Sequence, residues 1–127
     1  MADEWGDGDA RLRGICLGLP EATEQETWGD ATYRVRGKIF AMPRERDGQR
    51  AVWCKARPGV QQILTGDDPS RFFVPPYVGH RGWIGVVLDA EVDWEELDAL
   101  LRESYRMTAP KRLAAMVDAT PEQGPGS

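Results

Sequence analysis

Arg71-Phe72-Phe73-Val74-Pro75-Pro76-Tyr77-Val78-Gly79-His80-Arg81-Gly82-Trp83-Ile84-Gly85-Val86-Val87-Leu88-Asp89 holds two apolar, β-prone runs on either side of a Pro-Pro, Gly-His-Arg-Gly turn region. Two such runs separated by turn residues predict a hairpin, strands at 71–74 and 82–88, with the only histidine at its tip. In the second run Trp83, Gly85 and Val87 fall on one face and Ile84, Val86 and Leu88 on the other. Both faces are apolar, so this strand is expected at the centre of the sheet.

On the N-terminal side, Pro58 suits the first position of a short helix, with Val60, Ile63 and Leu64 facing inward and Gly66 closing it. Before it lie three strands. Ala31 to Arg36 alternates Tyr33 and Val35 against Thr32, Arg34 and Arg36, the period of a strand with one buried face. Gly37 marks a turn, Lys38 to Met42 a second strand, and the polar 44–50 segment with its Asp47-Gly48 pair a loop into a third strand at 51–55. This is a three-stranded meander. Leu12, Ile15, Cys16 and Leu19 share one helical face, so residues 9–18 open the chain as a helix, capped by Asp7 or Asp9 and ended by Gly18 and Pro20. The acidic stretch 20–30 reads as a connection.

On the C-terminal side, Asp93 with Glu96 three residues on resembles a capping box, and Trp94, Leu97, Leu101 and Tyr105 repeat on one helical face. Pro110 interrupts the helix, and Leu113, Met116 and Val117 provide the stripe of a short last one. Residues 118–127 have nothing to bury and are expected to be a disordered tail after a single domain over 1–117. The order α-β(3)-α-β(2)-α predicts an α+β two-layer sandwich: an antiparallel sheet of about five strands with helices on one side.

Composition narrows the function classes. A 127-residue chain that is 41% hydrophobic and holds five tryptophans is long enough for one real core. There is no run of about 18 apolar residues, and the acidic N-terminus lacks the basic and apolar regions of a leader, so a cytoplasmic protein with no membrane partner is expected. Cys16 and Cys54 lack CxxC spacing and sit among apolar residues, as buried reduced thiols would. One histidine cannot build a His-rich metal site; no metal and no cofactor are expected.

Charge is segmented. Residues 1–30 carry eight acidic and two basic groups, whereas residues 31–57 carry two acidic and eight basic ones, against a net charge of −5 for the chain. Arg34, Arg36, Lys38, Arg44, Arg46, Arg50, Lys55 and Arg57 are therefore candidate phosphate contacts, with Trp53 or Tyr77 beside them for stacking. The competing reading is that these cations pair with the acidic flanks. Trp28, Tyr77, His80, Arg81 and Trp83 are candidates for a second surface, a cleft for a small aromatic ligand or a protein partner. His80 as an acid-base catalyst would need a carboxylate or hydroxyl partner, and none is near it in sequence, so no catalytic residue is assigned.

The chain resembles the MmcQ/YjbR family of small bacterial proteins. The resemblance is carried by Cys16-Leu17-Gly18-Leu19-Pro20-Glu21-Ala22-Thr23-Glu24, Trp28-Gly29, Tyr33-Arg34-Val35-Arg36-Gly37-Lys38-Ile39-Phe40-Ala41, Pro75-Pro76-Tyr77-Val78-Gly79, Gly82-Trp83-Ile84-Gly85-Val86, Ser104-Tyr105-Arg106 and Ala109-Pro110-Lys111-Arg112-Leu113. It spans roughly residues 9–117. It implies an α-β(3)-α-β(2)-α fold related to type III secretion chaperones, a double-wing arrangement and a DNA-binding role, with no catalytic residues. A non-enzymatic DNA-binding protein is the leading expectation.

Overall fold

A computed structural model describes residues 6–27, 29–46, 48–89 and 92–118. The elements are α1 (Gly6–Leu17), β1 (Ala22–Thr27), β2 (Asp30–Val35), β3 (Lys38–Arg46), β4 (Gln49–Cys54), α2 (Val60–Asp67), β5 (Phe72–Phe73), a 3₁₀ turn (Gly79–Arg81), β6 (Ile84–Val87), α3 (Trp94–Thr108) and α4 (Lys111–Asp118). The six strands form one open sheet in the order β1-β2-β3-β4-β6-β5, and every neighbouring pair is antiparallel. This is the expected α+β class with one strand more than the sequence indicates.

The added strand is β1, in the segment expected to be a connection. Its sequence, Ala-Thr-Glu-Gln-Glu-Thr, has no apolar alternation, yet it pairs with β2 from Ala22↔Val35 to Thr27↔Asp30. Thr23 to Glu26 are exposed. An outermost strand buries little, and charged side chains guard a free edge against further pairing, so polarity here is compatible with a strand. The 44–50 loop shortens in the same way: β3 and β4 continue through it to the pair Arg46↔Gln49.

β2 and β3 meet in a two-residue turn. Val35 pairs with Lys38, and both intervening residues have positive φ, Arg36 at 53° and Gly37 at 80°. Two left-handed residues give the turn whose twist matches a right-handed hairpin; glycine accepts it freely and arginine at a cost. A bulge then shifts the register, since Tyr33 pairs with Ala41 but Arg34 with Ile39, leaving Phe40 as the extra residue. Its effect is that consecutive residues Phe40 and Ala41 both enter the main core.

That core lies between the sheet and the helices. Leu12 and Cys16 of α1, Leu97, Leu101 and Tyr105 of α3, and Leu113 and Val117 of α4 pack on Tyr33, Val35, Phe40, Val52, Cys54, Ile84 and Val86, with Val60 and Leu64 of α2 at the margin. All four helices thus cover one face. The other face holds a smaller cluster of Met42, Trp53 and Trp83, flanked by Ile39, Phe73 and Val78. The strand expected to be central is flanked on both sides, by β4 and β5, and all four of its residues are buried. Gly85 is needed there because the Phe73 ring lies where a Cβ would project.

Three details depart from expectation. Ile63 is 60% exposed and Met116 53%, so α2 and α4 bury fewer apolar side chains than their periodicity suggests. In α2 the buried residue is Gln61. Strand β5 is confined to two residues, leaving Val74 exposed. α4 reaches Asp118, the first residue of the expected tail, and 119–127 fall outside the described residues. The cap on α3 is as expected, with the Asp93 carboxylate accepting from the Glu95 and Glu96 amides.

Candidate anion-binding corner

Four of the eight cations of the 31–57 segment are engaged by carboxylates. Arg36 is turned out of β2 by its left-handed backbone and pairs with Glu21 at 2.7 Å. Arg44 lies 3.3 Å from Asp30 and over the Trp53 ring. Arg50 reaches back to Asp9 of α1 at 3.1 Å, and Arg57 bonds Glu103 of α3. Arg34 is held by Thr32 Oγ1 and the Gly37 carbonyl. The side chain of Arg46 lies outside the described residues. Of the eight candidate phosphate contacts, four are paired with carboxylates, three of which come from the acidic stretch 1–30, as the competing reading expects. Opposite charges brought together by folding satisfy one another before any ligand arrives.

Two of the eight remain, Lys38 and Lys55, and the fold brings Arg81 to them from the far hairpin. Their proximity shows in the Lys55 ammonium, which burial, then the Lys38 charge, then the Arg81 charge hold below the usual lysine pKa. Lys38 and Arg81 are exposed and Lys55 is half-buried. Among the described residues no carboxylate lies in ion-pair range of any of the three.

Arg81 also stands at the rim of a groove of about 490 Å³ between the 56–62 segment and the 3₁₀ turn. Ala56, Arg57, Pro58, Gly59, Gln61, Gln62, Gly79, His80, Gly82 and Met107 complete its lining. What fixes this wall is Gln61. Its buried amide Nε2 donates to the carbonyls of Gly79 at 2.8 Å and Trp83 at 2.7 Å, tying α2 to both ends of the turn. The turn itself is closed by Arg81 N donating to Val78 O and Gly82 N to Gly79 O. On the strand side, Ser104 of α3 accepts the Lys55 amide and donates to the Phe40 carbonyl.

The expected aromatic cleft is not assembled. His80 and Arg81 line the groove, but Trp83 is 6% exposed and packs with Met42 and Trp53 on the opposite side of its strand. Tyr77 is 86% exposed at φ 69° and is not part of the groove lining. Trp28 lies outside the described residues. Gln61 and Ser104 were not candidates. A polar residue inside a short helix gives no local sign that distant carbonyls will need it.

Nucleophiles are placed away from this corner. Cys16 and Cys54 are free and buried in the main core, where desolvation pushes both thiols up, Cys54 to about 12. Among the described residues no group of three or more His, Cys, Asp or Glu side chains is arranged to hold a metal. No described helix is long and apolar enough to cross a membrane.

A family model described as YjbR matches residues 17–107. Among solved structures, the Deinococcus radiodurans protein DR2400, which carries a domain of the family model DUF419, superposes with a TM-score of 0.71 at 22% identity, over 91% of this chain and 91% of that one. At that identity the likeness shows a shared fold. No curated protein matches the chain.

Proposed function

The chain belongs to the YjbR family, and on that basis we propose that it is a non-enzymatic binding module of the bacterial cytoplasm that takes DNA by its phosphates, at the corner formed by Lys38, Lys55 and Arg81. The observation that carries this reading is that Lys38, Lys55 and Arg81 have no carboxylate partner among the described residues, in a chain whose other basic groups are largely paired. Like charges crowded at a partly buried position raise the local potential, and a phosphate relieves it.

Three cations neutralise few phosphates, so binding is weak, indifferent to sequence and strongly dependent on salt. With counterion release from about three contacts, the logarithm of the association constant falls against the logarithm of salt with a slope of about −3. No base-reading helix is invoked, and phosphate contacts position without specifying. The non-enzymatic part draws support from His80, which has no carboxylate or hydroxyl within hydrogen-bond range among the described residues, and from the burial of both thiols. Two reduced thiols also suit a reducing compartment.

Fluorescence anisotropy with a labelled duplex at two salt concentrations tests the reading. Binding at low salt that weakens on raising it, and weakens equally on every sequence in Arg81→Gln and Lys38→Gln, is the expected result. No binding at low salt, or binding without salt dependence, overturns it. The aromatic-ligand or protein-partner alternative loses Trp83, whose ring is packed away, and keeps Tyr77, His80 and Arg81 as exposed groups.

A further inference from the structure

The sheet sorts charge between its two ends. Val35 closes β2 opposite Lys38, which opens β3, and Cys54 closes β4 opposite Ile84, which opens β6. The β2–β3 turn, the 55–59 connection and the 74–83 loop therefore emerge at one end of the domain. Ser104 and Tyr105 fasten the last turns of α3 to the same end, through the Lys55 amide and the Pro20 carbonyl, and α4 starts there at Lys111. The segments that build this end, 17–23, 35–39, 54–61, 74–83 and 103–112, carry eight Arg or Lys residues and two carboxylates, Glu21 and Glu103. At the opposite end, the described residues of 26–31, 44–50, 66–71 and 87–96 carry nine carboxylates and four arginines. A chain of net charge −5 thus presents one end to a polyanion and turns the other away from it.

At the basic end Arg36, Arg57 and Arg106 face Glu21 or Glu103, whereas Lys38, Lys55, Arg81, Lys111 and Arg112 have no carboxylate in ion-pair range among the described residues. The 74–83 loop adds an aromatic ring, that of Tyr77, 86% exposed at φ 69°. Its neighbours fix it in place: Pro75 is buried, Val78 packs against the Met42, Trp53 and Trp83 cluster, and the Val78 amide donates to the Pro76 carbonyl. We propose that this end of the domain binds single-stranded DNA, with the five cations on its phosphates and the Tyr77 ring stacked on a base. The proposal rests on the DNA reading above and specifies the form of DNA taken. A single strand exposes base faces to an aromatic ring, while a duplex keeps them stacked inside. The cations stand on turns and helix ends, so they offer no helix face to lay in a major groove.

The experiment follows, with the full chain at two salt concentrations, the anisotropy of a labelled thymidine strand of about 15 nucleotides and of a duplex of equal length. Tighter binding of the strand is expected. Tyr77→Asn removes the ring and suits the left-handed backbone; it weakens strand binding about tenfold and leaves the duplex unchanged, and Tyr77→Phe keeps the wild-type preference. Lys111→Gln and Arg112→Gln each weaken both forms and flatten the logarithmic salt dependence of strand binding by about 0.7. Arg11→Gln, at a side chain that lies over Trp94 at the start of α3, changes neither. All four positions are exposed, so these substitutions leave the fold in place, and tryptophan emission checks this. A duplex bound as tightly as the strand overturns the single-strand site while the DNA reading survives. A strand preference that Tyr77→Asn leaves intact overturns the stacking, and binding untouched by Lys111→Gln and Arg112→Gln overturns the basic end as the surface. No binding of either form overturns both readings.

Discussion

The Ser104 hydroxyl accepts a hydrogen bond from the Lys55 amide at 2.9 Å, so a helix side chain closes a gap between two strands. The gap arises at the bulge. Beyond Ala41↔Cys54 the β3–β4 ladder would next pair Phe40 with Lys55, but Phe40 is the extra residue, and Ser104 inserts between them by also donating to the Phe40 carbonyl at 2.6 Å. The serine is fully buried. It therefore supports the backbone that carries Lys55 to the proposed corner.

Ser104→Ala leaves a buried amide and a buried carbonyl without partners. The cost is about 1–3 kcal/mol, since an orphaned buried polar group loses its hydration without replacement. Urea denaturation should show a lower midpoint at unchanged slope. A wild-type midpoint would mean that the two strands can re-pair directly.

Gln61→Leu keeps the volume of α2 but removes the donor to Gly79 and Trp83. Faster amide exchange is expected at Arg81 and Gly82, whose bonds close the 3₁₀ turn, along with weaker anion binding at the same corner. Ile63→Ala, at an exposed position of the same helix outside the groove lining, should change neither. Equal exchange in the two variants would show that Gln61 does not hold the turn.

Cys54 should make the fold sensitive to alkali. Its folded pKa is raised by burial from 9.0 to about 12. The neutral thiol is favoured in the folded state, so the contribution is fully present below the ordinary thiol value and lost as pH rises from about 9 towards 12. The expected slope is up to about 1.4 kcal/mol per pH unit for this one proton. Stability curves between pH 8 and 11 should be flatter by that amount in Cys54→Ala, whatever its stability at neutral pH. Thiol labelling of the wild type should likewise wait on unfolding.

Arg36→Asn should stabilise the β2–β3 turn. Asparagine tolerates φ near 53° better than arginine and makes the Asn-Gly pair that such turns favour, a gain of about 0.5–1 kcal/mol. The Glu21 partner is lost, but that pair is exposed on both sides and worth little. Thermal unfolding decides it, and a lower Tm would mean that the Arg36–Glu21 pair outweighs the backbone strain.

Where the reading from sequence succeeds, a local pattern is tied to burial. The α3 stripe of Leu97, Leu101 and Tyr105 and its Asp93 cap are in place, and Ile84, Val86 and Trp83 divide between the two faces as their alternation requires. It fails where burial leaves no periodic trace. β1 is a polar edge, and α2 turns Gln61 inward and Ile63 outward because two distant carbonyls need the amide. The basic segment leaves two readings open in the sequence for a related reason. Its clustering in sequence is real, but α1, α3 and the strand ends supply Asp9, Glu103, Asp30 and Glu21 to four of its arginines.

The sequence by itself determined the order of the elements that carry an apolar pattern, the layer architecture and the burial of both cysteines, because each follows from the spacing of apolar residues along the chain. Only the tertiary structure decided which charges are available to a ligand. Pairing between side chains dozens of residues apart depends on strand register and helix placement. Which arginines find a carboxylate depends on β4 lying beside β3 and on α1 and α3 packing over the sheet, while Lys38, Lys55 and Arg81 are left without one among the described residues.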